Sequence, residues 1–404
     1  VGHVDHGKST LVGRLLHETG FIAENKMAHV KKVCEDQGKG FEFAFLLDAL
    51  EEERDQGITI DVSQMFFRTE KRNYVIIDAP GHKEFLKNMI SGASSADVAF
   101  LMIDAEEGIQ EQTQRHAYIL SLLGVRQVAV VMNKMDLVNF SQQVYEDIRK
   151  DFQNFASKLE VLDVRFVPIS ALLGDNVVER STKMNWYGGS TLLYLLETIH
   201  IGSDYNLVDC RFPVQYVIRP QSVEFPDYRG YAGRIAGGVF KPGDKVMVLP
   251  SGFASKIKSI DSFGKSIEEA FAPMSVIIRL EDEIDISRGD IIVRENNVPQ
   301  SGQDFDVMMC WLNEKKMIPN GKYTIKHTTR EARCIIKDIR YKVDVNTLHR
   351  MEDDKILGLN DIARVSLRTT VPFFYDKYRI NRITGSIILI DEGTNETVAA
   401  GMII

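Results

Sequence analysis

The stretch VGHVDHGKST, residues 1–10, decides the fold of the first half of the chain. Gly2 and Gly7 have the spacing of a phosphate-binding loop, in which backbone N–H groups wrap a phosphate at the start of a helix. Lys8 would then reach the β- and γ-phosphates of a nucleotide, and the Ser9 hydroxyl would bind Mg²⁺. The candidate nucleotide contacts are Gly2, His3, Val4, Asp5, His6, Gly7, Lys8, Ser9 and Thr10.

The segments around this loop predict an α/β domain. A phosphate-binding loop normally follows a buried strand, so we expect native residues ahead of Val1. Downstream, apolar runs alternate with segments of helical spacing, which predicts a mostly parallel sheet covered by helices, with one antiparallel hairpin around residues 69–72. The predicted strands are residues 62–68, 73–77, 98–103, 127–132 and 165–169, and the predicted helices are 83–93, 111–123 and 142–159.

The sequence pattern changes after residue 208. Short β-rich runs separated by Gly, Pro and Asp turns predict small antiparallel barrels, and a break near residues 299–303 divides this region in two. We therefore predict a phosphate-binding α/β domain at 1–206, followed by two antiparallel β-barrel domains at 207–299 and 300–404.

Composition and charge narrow the class of protein. The chain has 404 residues, of which 44% are hydrophobic and 26% charged, as in ordinary globular proteins. No apolar run is long enough to span a bilayer, and four scattered cysteines form no CxxC pair, so we expect a cytoplasmic location, reduced thiols and no membrane partner. Residues 1–300 carry 33 basic against 43 acidic side chains, and 301–404 carry 16 against 14. This balance disfavours nucleic acid as a partner.

Two further motifs could complete a phosphate site. DAPGH, residues 78–82, ends a predicted strand, so Asp78 would hold the hydration shell of Mg²⁺ and the Gly81 N–H would face the γ-phosphate. His82 is either a catalytic group or a polar residue at the start of a helix. In RDQGITID, residues 54–61, Thr59 could bind Mg²⁺ through its hydroxyl and the γ-phosphate through its N–H. The predicted metal ligands are Ser9, Thr59 and Asp78.

The motif NKMD, residues 133–136, predicts recognition of guanine. The Asp136 carboxylate can accept hydrogen bonds from N1–H and the N2 amine of guanine, whereas adenine has an acceptor at N1. Lys134 would lie across the base, and Asn133 would brace the loop and contact the purine edge. The next loop would offer a backbone N–H to guanine O6 through SAL, which is Ser170, Ala171 and Leu172. The order of all these motifs predicts a GTP-hydrolysing enzyme that binds GTP or GDP with Mg²⁺.

The chain resembles the translation-factor group of GTPases, which includes elongation factors Tu and 1-alpha. The resemblance rests on GHVDHGKST, GITID, DAPGH and NKMD, and on a GTPase domain followed by two barrels. It implies that His82 positions the attacking water and that Val4 and Ile58 form the apolar pair that gates His82. It also links Asp5 to monovalent-cation or switch contacts. The implied catalytic residues are His82, Lys8, Thr59 and Asp5.

A closer resemblance covers nearly the whole chain. LLDALEEERDQGITIDV, RFVPISALLGDNV, EDEIDISRGD, IKDIRYKVDVNTLHR and RINRITGSIILIDEGTNETVAAGMI are similar to the GTPase subunit of bacterial sulfate adenylyltransferase. The last two stretches are the most specific, because elongation factors lack them. That family uses GTP hydrolysis to drive adenylyl sulfate formation from ATP and sulfate on a separate catalytic subunit. Many of its members carry Ser and Asp where this chain has His3 and His6.

The resemblance implies a partner. The chain has no SGGxDS loop, no HxGH pair and no second nucleotide loop, so sulfate would be adenylylated by a catalytic subunit in a hetero-oligomer. A translation factor delivering aminoacyl-tRNA and a regulatory GTPase of another adenylylating enzyme remain open. A tRNA contact or a solvated strand face could be formed by Arg330, Arg333, Lys337, Arg340 and Lys342. We interpret Trp186 and Tyr187 as packing anchors.

Overall fold

The structure is a computed structural model that describes residues 1–3, 5–22, 43, 64–78, 86–159, 163–201, 205–220, 228–345 and 347–404. The chain forms two compact units, Val1–Ile201 and Gly202–Ile404. Residues 62–63 of the first predicted strand and 83–85 of the first predicted helix lie outside the described residues.

The first unit begins with a helix and a hairpin. Helix α1 (Lys8–Glu18) follows the glycine-rich loop. Strands β1 (Gln64–Arg68) and β2 (Asn73–Ile77) pair in antiparallel fashion, and Phe67 stacks on its cross-strand partner Tyr74 with ring centroids 4.5 Å apart. The predicted hairpin is therefore confirmed.

Among the described residues of the first unit, three strands form a parallel sheet. They are β3 (Val98–Asp104), β4 (Gln127–Asn133) and β5 (Asp163–Pro168). Six of the seven residues of β4 are buried, as expected for a parallel strand covered on both faces. Gly2 forms a parallel bridge with Met102, so the loop of residues 1–10 leaves the sheet beside β3.

Helices connect these strands, as the alternating pattern predicts. Helix α2 (Leu86–Ser94) precedes β3, and α3 (Glu111–Leu122) and α4 (Gln142–Ala156) connect the parallel strands. A further helix, α5 (Leu192–Thr198), follows β5 at a position where no helix was predicted. Leu11, Leu15 and Leu16 of α1 belong to the same buried cluster as Val131 and Val167 of the sheet. Burial of this apolar face stabilises α1 at a fixed position on the sheet, by ~2 kcal/mol for each fully buried leucine. None of the described helices is long and apolar enough to cross a membrane.

The second unit contains two sheets in which every pairing is antiparallel. The strands of the first are β6 (Arg211–Pro213), β7 (Tyr216–Ile218), β8 (Gly230–Arg234), β10 (Lys245–Leu249), β11 (Phe253–Ser262), β12 (Lys265–Ile267), β14 (Ser275–Leu280) and β15 (Ile291–Arg294), with a separate pair β9 (Val239–Phe240) and β13 (Ala270–Phe271). Alternate residues of β14 are buried, which is the pattern of a strand with one face in a core.

The second sheet of this unit closes on itself. Its strands are β16 (Gln300–Trp311), β17 (Lys322–His327), β18 (Arg330–Val343), β19 (Arg350–Met351), β20 (Ile362–Tyr375), β21 (Ser386–Asp391) and β22 (Thr397–Ile403). Strand β17 pairs with both β21 and β18, so six strands form a ring, and the fully buried Trp311 and Phe373 lie in its core. The predicted fold class is confirmed. The domain limits 1–206, 207–299 and 300–404 remain predictions.

Candidate nucleotide-binding site

The backbone of the glycine-rich loop is shaped for an anion. Gly7 has φ of +82° and leads directly into α1, and a Cβ at this position would lie 2.4 Å from Nδ2 of Asn133. Side chains cap the starts of α3, α4 and α5, whereas no described side chain caps α1. The first N–H groups of α1 are therefore available to a phosphate, which the helix dipole also favours.

Lys8 lies inside the curve of this loop. Its ammonium group donates to the carbonyl of Gly2 at 3.0 Å and to that of His3 at 2.7 Å. Burial lowers the pKa of Lys8, and the carboxylates of Asp78 and Asp5 oppose that shift. The structure thus brings Asp78 into the electrostatic neighbourhood of Lys8, and Ser9 follows in the first turn of α1.

Asn133 connects the phosphate-binding loop to the SAL loop. Its amide nitrogen donates to the carbonyl of His6 at 2.9 Å, and its amide oxygen accepts a hydrogen bond from the Ala171 N–H, also at 2.9 Å. The side chain is 2% exposed, so no solvent competes for these bonds. Asn133 braces the site from within, and its contact with a purine edge stays a prediction.

Asp136 and the SAL loop face each other. The Ser170 hydroxyl donates to the Asp136 carboxylate at 2.6 Å. The Ser170 N–H binds the Asp175 carbonyl, and the Ala171 N–H binds Asn133, so within the described residues only the Leu172 N–H of SAL lacks a bonded acceptor. A base at this position would meet carboxylate acceptors on one side and a main-chain donor on the other.

Lys134 and the end of its loop are also held in place. Lys134 has φ of +61°, and its ammonium group pairs with the buried Asp104 carboxylate at 2.7 Å. The indole N–H of Trp186 donates to the Phe140 carbonyl at 3.0 Å, and its ring packs on Tyr145. This agrees with the interpretation of Trp186 as an anchor, and shows that it anchors the segment that follows Asp136.

Sequence reasoning missed three residues that hold the site together. Arg14 donates from α1 to the carbonyls of Ala171, at 3.0 Å, and Leu172. Asp104 fixes Lys134, and Glu107 contacts His6. Each of these contacts joins segments 30 or more residues apart, and no local spacing marks such a pair.

The remaining predicted residues divide into two groups. Asp5 has φ of +63° in the loop, and Thr10 lies in the first turn of α1. The hydroxyl of Ser9 and the carboxylate of Asp78 are oxygen ligands of the kind that Mg²⁺ prefers, so these two residues fit a Mg²⁺ site near Lys8. The other predicted positions lie outside the described residues: Val4, Ile58, Thr59, Gly81 and His82.

A cavity of about 500 Å³ adjoins Lys8 and Asp78. Its described walls are mainly apolar side chains of α1, β2 and β3, and neither Asp136 nor Ser170 is among its described lining residues. The cavity is therefore separate from the place where Asp136 and the SAL loop would receive a base.

Known proteins resemble this chain over its whole length. Residues 1–207 match the family described as elongation factor Tu GTP binding domain, and residues 304–404 match the GTP-eEF1A C-terminal domain-like family. The bifunctional enzyme CysN/CysC of Mycobacterium tuberculosis is 48% identical over 405 residues, and that of Rhodopirellula baltica over 408. All of this chain is matched, but it spans only 66% and 62% of those two relatives. Sulfate adenylyltransferase subunit 1 of Alteromonas mediterranea is 46% identical, and the chain covers 85% of it.

Proposed function

We propose that the chain, which belongs to the family of sulfate adenylyltransferase subunit 1, is a Mg²⁺-dependent GTPase subunit of a sulfate-activating enzyme. The first half of the chain matches the elongation factor Tu GTP binding domain. In this function GTP hydrolysis drives the formation of adenylyl sulfate from ATP and sulfate on a partner catalytic subunit. The name of these relatives, subunit 1, supports the existence of that partner.

One observation of the structure supports the guanine-nucleotide function most directly. Asn133 bridges the carbonyl of His6 and the N–H of Ala171, so the phosphate-binding loop and the base-binding loop form one connected unit. Asp136 lies on the base side of this unit and Lys8 on the phosphate side. A ligand that fits both sides needs a base with adjacent donors and a chain of phosphates, as GTP has.

The roles of the residues follow from this arrangement. Lys8 and the first N–H groups of α1 would bind the β- and γ-phosphates, and Asp136 would orient the guanine base. Bound Mg²⁺, held by Ser9, Asp78 and Thr59, would neutralise phosphate charge. His82 would orient the attacking water, in the role that glutamine has in other GTPases. Placing the charges and the water before reaction accounts for most of the catalysis of phosphoryl transfer.

The basic residues of β18 give no support to delivery of tRNA. Most of them are neutralised by a carboxylate, whereas a phosphate-binding surface needs unpaired basic groups. The pairs are Arg333–Glu392 at 3.1 Å, Lys337–Asp304 at 3.2 Å, Arg340–Asp338 at 3.4 Å, and Lys342 with Asp354 at 2.6 Å and Asp361 at 2.7 Å. Arg330 lies over the Phe373 ring. This favours the reading of the cluster as a strand face.

GTP turnover with candidate partners tests the proposal. Hydrolysis should be slow for the chain alone and should rise when the sulfate-adenylylating subunit, ATP and sulfate are present together. Omitting sulfate is the matched control, and stimulation without sulfate would favour regulation of another adenylylating enzyme. Stimulation by ribosomes, with none by the adenylylating subunit, would replace the proposal with a translation function.

A further inference from the structure

His6 is a fully buried residue of the phosphate-binding loop, with 0% of its surface exposed. Its Nδ1 lies 3.1 Å from the carbonyl oxygen of Met102 in β3, and its Nε2 lies 3.2 Å from a carboxylate oxygen of Glu107. Its own carbonyl accepts the Asn133 amide. The side chain thus connects the loop to the segment that follows β3.

Both partners of the His6 ring are acceptors. A carbonyl oxygen and a carboxylate oxygen cannot donate a hydrogen, and a neutral imidazole carries only one N–H. With Glu107 ionised, both contacts can be hydrogen bonds only when both ring nitrogens carry hydrogen, which is the imidazolium form. In the neutral ring one buried nitrogen would be an acceptor that faces another acceptor, and no water can reach it to supply the missing bond, so that contact would cost free energy.

We propose that Glu107 is a positioning residue that holds His6 as an imidazolium, and that this half-buried ion pair fixes the phosphate-binding loop and adds positive charge beneath the nucleotide phosphates. The inference rests on the proposed guanine-nucleotide site. The ion pair would affect nucleotide binding through the position of the loop as well as through charge, because the main-chain carbonyl of His6 also accepts the hydrogen bond from the Asn133 amide.

His6 faces one carboxylate, and the ammonium group of Lys8 lies in the same loop, where it donates to the carbonyl of His3. In the described part of the chain, the titratable groups that contact its side chain are Glu107 and the neighbouring His3, whose ring lies edge-on with centroids 5.4 Å apart. From β4 the contact is the neutral amide of Asn133. Glu107 is 48% exposed, so its carboxylate meets His6 on one side and solvent on the other.

The substitution Glu107→Gln tests the charge of His6 separately from the conformation of the phosphate-binding loop. A glutamine amide can donate to Nε2, so a neutral His6 could keep its Nδ1–H bond to Met102 and still be fully hydrogen-bonded. The variant should therefore preserve the loop and remove the reason for the second proton. Glu106→Gln is the matched control, because the exposed Glu106 removes the same charge one residue away and contacts the site only through its main-chain N–H.

Nitrogen NMR of the full chain, labelled with ¹⁵N-histidine and free of nucleotide, tests the charge state directly. Near neutral pH, His6 should give two imidazolium-type nitrogens in the wild type and in Glu106→Gln, and one donor and one acceptor nitrogen in Glu107→Gln. A neutral His6 in the folded wild-type chain would overturn the inference, and so would a Glu107→Gln chain with an unchanged imidazolium.

GDP affinity at fixed Mg²⁺, measured between about pH 6 and pH 9, tests the consequence. The affinity of the wild type, relative to that of Glu107→Gln, should fall about tenfold as pH rises, which is the size of one charge-assisted hydrogen bond. Taking the ratio of the two proteins cancels the titration of the nucleotide itself. Parallel pH profiles would refute the positioning role. Absence of GDP binding at every pH would contradict the proposed function and leave the NMR result to decide the state of His6.

Discussion

At the scale of single residues, base recognition depends on which atoms can still accept a hydrogen bond. Within the part of the chain that the structure describes, Asp136 receives one bond, from the Ser170 hydroxyl at 2.6 Å, and a carboxylate has further acceptor sites. The Ser170 bond orients the carboxylate, so its remaining lone pairs are directed before a base arrives. In the proposed site, discrimination between guanine and adenine would therefore depend strongly on this side chain and its orientation.

Asp136→Asn should change the preferred base. An amide can donate where the carboxylate could only accept, so binding should move from GTP toward xanthosine triphosphate, whose ring carries an oxygen in place of the N2 amine. We expect the ratio of the two affinities to change by about 10⁴. Competition binding with both nucleotides and ATP measures it, with Asp147→Asn on the exposed face of α4 as control. Equal affinity of the wild type for ATP and GTP would contradict the assignment.

His82→Ala separates binding from hydrolysis. If His82 orients water, nucleotide affinity should remain nearly unchanged, while stimulated hydrolysis should fall by about 10²–10⁴. If His82 only starts a helix, folding, binding and rate should decline together by modest factors. Affinity and single-turnover hydrolysis on one preparation distinguish the two, and full hydrolysis by a well-folded variant would remove His82 from the catalytic set.

At the scale of secondary-structure elements, the site is held by contacts between segments that are distant in the chain. Motif spacing predicted the loops at Gly7, Asp136 and Ser170, because each motif is local, and the motifs of Asp136 and Ser170 also follow strands of recognisable apolar character. It could not predict that Arg14 supports the SAL loop, because that contact joins residues 157 apart and depends on how α1 lies on the sheet. Element positions follow from local periodicity, whereas contacts between elements follow from packing.

Arg14→Met should loosen the base loop without disturbing α1. Methionine keeps an apolar stem and helix propensity, but loses the hydrogen bonds to the carbonyls of Ala171 and Leu172. We expect nucleotide affinity to fall at least tenfold, mainly through faster dissociation, because each bond to a charged donor contributes roughly 1.5–3 kcal/mol and a factor of ten corresponds to about 1.4 kcal/mol. Stopped-flow release of a fluorescent GDP measures it. The result should be compared with Arg149→Met on α4, whose ion pair with Glu146 is exposed, and equal release rates in wild type and Arg14→Met would refute this role.

His116, a buried residue of α3, should make the free energy of unfolding depend on pH. Burial, together with smaller contributions from nearby positive charges that include Lys8, lowers the pKa of His116 from 6.5 to about 3. The folded state therefore excludes a proton that the unfolded state binds, so stability is complete above pH 6.5 and is lost as pH falls toward 3. The expected slope is ~1.4 kcal/mol per pH unit.

His116→Leu should remove this dependence. Leucine has a similar volume and no proton to bind, so between about pH 7 and pH 5 the variant should lose roughly 2 kcal/mol less than the wild type. Urea unfolding at both pH values measures the difference. Equal losses in the two proteins would show that His116 is hydrated or paired when protonated.

At the scale of the whole molecule, apolar periodicity and turn residues predicted an α/β domain followed by antiparallel barrels. They gave no sign of how the two sheets of the second unit are joined. Arg211 of β6 and Asp376, just after β20, form a doubly hydrogen-bonded pair at 2.9 and 3.0 Å, and both side chains are buried. Arg211 also donates to Asn297, and Asp376 accepts from Thr384, so the pair has partners on every side.

Arg211→Met should therefore destabilise the second unit strongly. Removing one member of a buried ion pair leaves the other charged and desolvated, at a cost of ~3–5 kcal/mol, whereas removing both members costs much less than the sum of the two single changes. Urea unfolding of Arg211→Met, Asp376→Asn and the double variant measures this coupling. Arg333→Met is the control, because the exposed pair Arg333–Glu392 should contribute under ~1 kcal/mol. Additive losses in the double variant would mean that Arg211 and Asp376 stabilise their own sheets independently, and that the two sheets are joined by other contacts.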